Sequence, residues 1–199
     1  MILIDVCKNI LEDKLNISCF LNEEEQNVFC KQIYSYIYPR IMTNTILISY
    51  LDETITFLQK LDFSHEDIIS TLYNSPSLLQ ANKRDMLSKY LMLSPIVDSN
   101  GKKIRKDIMI NSPKHLVRSA SSIYARIIYL LNIGLSSITK WYVLKMTNKE
   151  FEERFHITND ELMKMYPYDD SKINELLEWP GNEEIKEKIT QSRVGDYHA

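Results

Sequence analysis

Asn74-Ser75-Pro76-Ser77-Leu78-Leu79 and Asn111-Ser112-Pro113-Lys114-His115-Leu116 carry one phrase twice, 37 residues apart. Each copy opens with Asn-Ser-Pro and places a leucine at the same remove, Leu79 and Leu116. In such a phrase serine is expected to cap free amides. Proline takes the first helical position, where its missing N–H costs nothing and its φ is already helical. Each copy therefore predicts a short helix following a longer one. A second echo lies further out. Phe57-Leu58, Leu61 and Phe63-Ser64 return as Tyr129-Leu130, Ile133 and Leu135-Ser136 at an offset of 72, close to twice the first spacing. Self-similarity at such a period predicts stacked helical units. Solenoids of this kind usually present an extended surface to something long, rather than a buried catalytic pocket.

The composition agrees with helices. The 199 residues contain 4 Gly and 6 Pro, too few for the turns of a many-stranded β protein. An apolar fraction of 44% is ordinary for a globular chain. Start signals recur in one form: Asn22 with Glu25, Ser64 with Asp67, Thr147 with Glu150, and Thr158 with Glu161. Each pair reads as a side-chain cap with a carboxylate three residues on that reaches back to the cap amide. These signals predict helices at Leu3–Leu15, Glu23–Tyr38, Thr45–Leu61, His65–Tyr73, Pro76–Gln80, Lys83–Leu93 and Lys102–Ile110. Further helices are predicted at Pro113–Arg118, Ser122–Ile133, Ser136–Lys145, Lys149–Phe155, Asn159–Tyr166, Asp170–Glu178 and Glu183–Gln191. Ile48, Leu51, Ile55 and Leu58 recur at helical spacing, as do Ile123, Ile127, Leu130 and Leu131. Val97-Asp98-Ser99-Asn100-Gly101 is the clearest turn and reads as an insertion within the second unit.

The net charge of -3 conceals a partition. From Gln80 to Lys145 there are 12 Lys and Arg against 3 Asp, while both flanks are acidic. A polyanion is thus a natural partner for the middle, although the total charge alone implies none. Cys7, Cys19 and Cys30 form no C-x-x-C pair and read as reduced thiols of an intracellular protein. The opening Met1-Ile2-Leu3-Ile4-Asp5 meets an acid before a signal-like apolar region forms. The expected location is the cytoplasm, or an organelle if a transit peptide has been removed.

Phe57-Leu58-Gln59-Lys60-Leu61-Asp62-Phe63-Ser64, then Ile68-Ile69, then Asn74-Ser75-Pro76-Ser77-Leu78-Leu79, is the phrasing of one unit. A later unit reads Tyr129-Leu130-Leu131-Asn132-Ile133-Gly134-Leu135-Ser136, and Met146 to Phe155 gives a Phe-containing closing segment. This order resembles the mitochondrial transcription termination factor (mTERF) family, whose units are two helices followed by a short third. The resemblance runs over residues 47 to 167. It departs at Asp62, where the family favours glycine, at the Asn-Gly turn of the second unit, and at the missing proline of the third. It implies a right-handed superhelix whose basic concave face tracks double-stranded nucleic acid, in proteins of organelle transcription, replication, RNA processing or ribosome assembly.

The candidate phosphate contacts are Lys102, Lys103, Arg105, Lys106, Lys114, Arg118 and Arg126. On a helix starting near Lys102, Lys102, Arg105 and Lys106 would share a face while Ile104 and Ile108 turn inward. Point charges of this kind give salt-dependent, sequence-neutral affinity. The bland alternative is a solvated helix face. Of the 12 tyrosines, Tyr124 and Tyr129 fall near the basic region, where packing is a commoner use of tyrosine than base stacking. His65, His115, His156 and His198 fit no metal-ligand spacing, and Glu152-Glu153, Asp169-Asp170 and Glu183-Glu184 read as solubilising charge. No phosphate-cradling or nucleophile-elbow glycine motif occurs. We therefore expect an all-α array with no catalytic activity, no metal and no cofactor. Residues 1–45 would form an N-terminal extension, 46–167 the array, and 168–199 an acidic helical cap or tail. The expected partner is double-stranded DNA or structured RNA. The alternative is a protein partner, the chain acting as adaptor or inhibitor.

Overall fold

A computed structural model describes residues 3–37, 43–98, 100–111, 118–135 and 142–195. Among these residues the secondary structure is helical, with one isolated antiparallel bridge between Val97 and Lys103 and no strand. The chain divides into two compact units, Met1–Lys83 with Ile110–Pro113, and Arg84–Met109 with Lys114–Ala199.

The first unit is built from α1 (Leu3–Leu15), α2 (Glu23–Ile37), α3 (Asn44–Lys60) and α4 (His65–Asn74), with 3-10 turns at Ile17–Cys19 and Pro76–Gln80. Three of the expected capping pairs are closed capping boxes at helix starts, so a local rule governs entry into those helices.

 Those three are Ser64 with Asp67, Thr147 with Glu150 and Thr158 with Glu161, each closing its reciprocal pair of bonds. Asn22 and Glu25 make the same exchange, at 2.8 and 3.0 Å, so all four predicted starts are present. In the first unit α1 packs on α2 and α3, and α4 lies against α2 and the Pro76–Gln80 turn. Cys7, Leu11, Leu15, Phe29, Ile33, Leu51, Ile55, Leu58, Ile68 and Leu72 are wholly buried there. Each large aliphatic or aromatic group among them contributes about 2 kcal/mol by leaving water.

The second unit holds α5 (Lys83–Met92) apart from Lys83, α6 (Arg105–Asn111) as far as Met109, α7 (Ala120–Asn132), α8 (Tyr142–Lys145), α9 (Asn148–Phe155), α10 (Asn159–Met165), α11 (Ile173–Leu177) and α12 (Glu183–Gly195). α7 is its central strut and packs on α8 and α10. Ile123, Ile127 and Leu130 lie buried along α7, matching the expected apolar spacing. The segment expected to be one helix over Asp170–Glu178 is a 3-10 turn, Asp170–Lys172, running into α11.

The repeat is visible in the backbone. At the end of α3, Phe63 N–H donates to Leu58 O at 3.1 Å and Asp62 takes a φ of 62°. At the end of α7, Leu135 N–H donates to Leu130 O at 3.0 Å and Gly134 takes a φ of 82°. Donor, acceptor and left-handed residue all recur at the offset of 72 read from the sequence. This is the helix stop in which a left-handed residue lets the next amide reach back to a free carbonyl. Asp62 adopts it without being glycine, so the departure from the family phrase leaves the turn unchanged.

Two further expectations change. Ser75 makes no cap bond; its hydroxyl pairs with Ser77 Oγ at 2.6 Å instead. Asn74 Nδ2 donates to Ile110 O, 36 residues on and immediately before the second Asn-Ser-Pro, at 2.9 Å. Thus the asparagine of the first phrase reaches the threshold of the second. Of the second copy, Asn111 ends α6, and Ser112 to Leu116 lie outside the described residues. The helix expected from Lys102 begins at Arg105, because Lys102 and Lys103 belong to a small hairpin. His156 sits at a φ of 55°, ending α9 before α10 starts.

Candidate nucleic-acid interface

The basic segment is organised by Asp98. Its carboxylate accepts the backbone N–H groups of Asn100 at 2.8 Å and Lys102 at 2.9 Å, and its own N–H donates to Lys102 O at 2.8 Å. Gly101 supplies the left-handed φ of 78° that closes the turn. Lys102 and Lys103 leave this hairpin exposed. Lys103 Nζ lies over Gly181, where a Cβ would stand 2.6 Å from it.

Arg105 is half-buried. Its guanidinium stands 4.7 Å from the centre of the Tyr90 ring and donates to Asn182 Oδ1. Asn182 is wholly buried and passes its own amide protons to Leu176 O at 2.7 Å and Leu91 O at 3.1 Å. Arg105 thus fastens the start of α6 to the corner before α12. Lys106 is half-buried beside it. Lys114 lies outside the described residues.

Arg118 and Arg126 meet at a different place. Both donate to Met146 O, and both reach Asn148 Oδ1, Arg126 at 2.7 and 2.8 Å respectively. Arg126 is only 1% exposed and lies 4.5 Å from the centre of the Phe151 ring. Burial, and then the neighbouring Arg118, lower its pKa to about 10. This corrects the expectation for Arg126: it is an internal strut between α7 and the start of α9, where no phosphate can reach its charge. Arg118 is half-buried and shares that carbonyl. The Phe-containing segment completes this cluster, with Phe151 and Phe155 rings 4.5 Å apart and Tyr129 edge-on to both.

Other cations of the basic middle are also engaged internally. Lys83 Nζ donates to Leu78 O, Leu79 O and Ala81 O at 3.1–3.2 Å, closing the Pro76–Gln80 turn. Lys89 is 5% exposed and pairs with Asp85. The sequence count of 12 cations therefore overstates the charge presented to solvent. No local signal could have revealed the partners, since Asn182 lies 77 residues from Arg105 and Met146 lies 20 from Arg126.

Among the described residues no group of three or more His, Cys, Asp and Glu is placed to hold a metal ion, and no helix is long and apolar enough to cross a membrane. Cys7 and Cys30 are buried and Cys19 is exposed, all as free thiols.

The helix stops repeated at a fixed offset are those of the helical-repeat phrase, and the mTERF family model matches residues 30–191. The chain belongs to the mTERF family. The match extends beyond residues 47–167 on both sides, taking in most of α2 and most of α12. No curated protein and no solved structure matches the chain. The mTERF fold is all-α and built of helical repeats, in keeping with the helical content and the recurring α3 and α7 stops.

Proposed function

We propose that this mTERF protein binds the sugar-phosphate backbone of double-stranded DNA or structured RNA, without catalysis, through the hairpin that carries Lys102 and Lys103. The observation that carries this reading is their exposure within a basic middle where, among the described residues, Lys83, Lys89, Arg105, Arg118 and Arg126 bond to the protein's own groups. Lys106 follows them in the first turn of α6. Arg105 positions the start of α6 through Asn182. Arg126 takes no part in contact with phosphate. Two or three ammonium groups on a hairpin favour backbone contact over base reading, so affinity should depend on salt more than on sequence. In the cell such binding would regulate transcription or RNA metabolism by occupying the nucleic acid.

The test is fluorescence anisotropy with a duplex DNA and a hairpin RNA across a salt series, comparing the native chain with Lys102→Glu/Lys103→Glu. Affinity should fall steeply with salt, and the double variant should flatten the logarithmic slope by about 2. Equal slopes for both proteins would remove the proposal.

A further inference from the structure

Asn100 and Gly101 stand at the tip of the hairpin that carries Lys102 and Lys103, and they are the chain's one Asn-Gly pair. An asparagine before glycine has a reaction of its own. The glycine's backbone nitrogen can attack the asparagine's side-chain carbonyl carbon and close a five-membered ring. Two local features decide whether it does so in a folded chain: whether the side-chain amide is held elsewhere, and whether the nitrogen is shielded.

Both favour the reaction at this tip. Asn100 is exposed, and among the described residues its hydrogen bonding is through the backbone N–H, to the Asp98 carboxylate at 2.8 Å, with its side-chain amide left to solvent. Gly101 takes a φ of 78°, and a Cβ built on it would meet nothing within 4 Å. Asn74, which precedes Ser75, makes the contrast: its amide donates to Ile110 O at 2.9 Å and Ser75 is buried. The Gly101 N–H does donate to Asp98 O, at 3.1 Å, and that bond must open first. It lies at an exposed turn, where single backbone bonds open at little cost. Meanwhile the Asp98 carboxylate keeps the Asn100 and Lys102 amides, so the hairpin survives the opening. Lys102 and Lys103 follow directly, and their two ammonium groups outweigh the one carboxylate in favouring loss of the Gly101 proton.

We propose that Asn100-Gly101 is a site of spontaneous deamidation that turns down the phosphate contact of Lys102 and Lys103. The Gly101 nitrogen bonds to Asn100 Cγ and gives its proton to water. The Cγ–Nδ2 bond breaks and ammonia leaves. Water then opens the cyclic imide at either carbonyl. One opening restores the main chain with an aspartate at this position; the other leaves isoaspartate, whose main chain is longer by a methylene. Water is the only co-reactant. Either product sets a carboxylate beside two lysines where a neutral amide stood, and isoaspartate also shifts the amides that Asp98 holds. The effect on binding rests on the function proposed above, whereas the deamidation does not.

The full-length protein, kept folded in mildly alkaline buffer, tests it. Ion exchange separates the acidic form that accumulates, and peptide mapping locates the change. Asn100 should convert ahead of every other asparagine, to a mixture of isoaspartate and aspartate, and Asn100→Gln should give no such form. The acidic form and Asn100→Asp should each bind duplex DNA with a logarithmic salt slope flatter by about 1, while Asn100→Gln keeps the native slope. An Asn100 that stays intact in the folded protein would overturn the proposal, whether or not it converts after unfolding. So would a converted form that keeps the native slope while Lys102→Glu/Lys103→Glu flattens it. If the lysine pair leaves the slope unmoved as well, the nucleic-acid reading is what fails, and the peptide map still supports the deamidation.

Discussion

Single side chains divide the basic middle into two populations that the sequence cannot separate. Lys102 and Arg126 look alike as candidates, yet one is exposed on a hairpin and the other is 1% exposed in the second unit. The difference comes from partners distant in sequence, Met146 and Asn148, which accept the protons of Arg126. Removing that guanidinium leaves Met146 O and Asn148 Oδ1 to Arg118 alone and opens a void beside Phe151. Arg126→Met should therefore lower stability by about 3 kcal/mol, read in a denaturant melt, whereas Lys102→Glu should change it by less than about 0.5 kcal/mol. Equal effects would contradict this division. The thiols make a parallel case. A thiol reagent should label Cys19 alone in the native protein and reach Cys7 and Cys30 only after denaturant is added, because both are buried. Rapid labelling of all three without denaturant would refute it.

Elements were the most legible scale. Four helix starts follow from a polar cap and a carboxylate three residues on, and all four form as read. Those interactions lie within one turn, so neighbours in sequence suffice to specify them. The Ser75 cap and the start of α6 differ from expectation because other local bonds compete, from Ser75 to Ser77 and from the Lys102 amide to Asp98. Hydrogen bonds from the caps hold Glu150 and Glu161 below the usual 4.5. A carboxylate with a depressed folded pKa stabilises fully above its unfolded value and loses that contribution as pH falls through the folded one. The melting temperature should thus begin to fall below about pH 4.5, and Glu150→Gln/Glu161→Gln should weaken that dependence; an unchanged acid profile would count against the caps. At the α7 stop, Gly134 has open space around a Cβ, so its φ of 82° is the sole obstacle to a side chain. Gly134→Ala should cost about 1 kcal/mol through backbone strain alone. No loss on thermal denaturation would mean the turn tolerates another conformation.

For the whole molecule, the recurrence at 72 residues ties the chain's history as a repeat to its present geometry, since the α3 and α7 stops use equivalent donors and acceptors. The fold class was readable because helical punctuation is local and repeats. The candidate site was readable only in part, because charge composition registers cations without showing which of them fold inward. The most direct measurement is the salt dependence of duplex binding for three proteins side by side: native, Lys102→Glu/Lys103→Glu, and Arg126→Met below its melting temperature. We predict that the lysine pair flattens the logarithmic slope by about 2 while Arg126→Met leaves it unchanged. A slope altered by Arg126→Met and untouched by the lysine pair would contradict the assignment of exposed and internal charge.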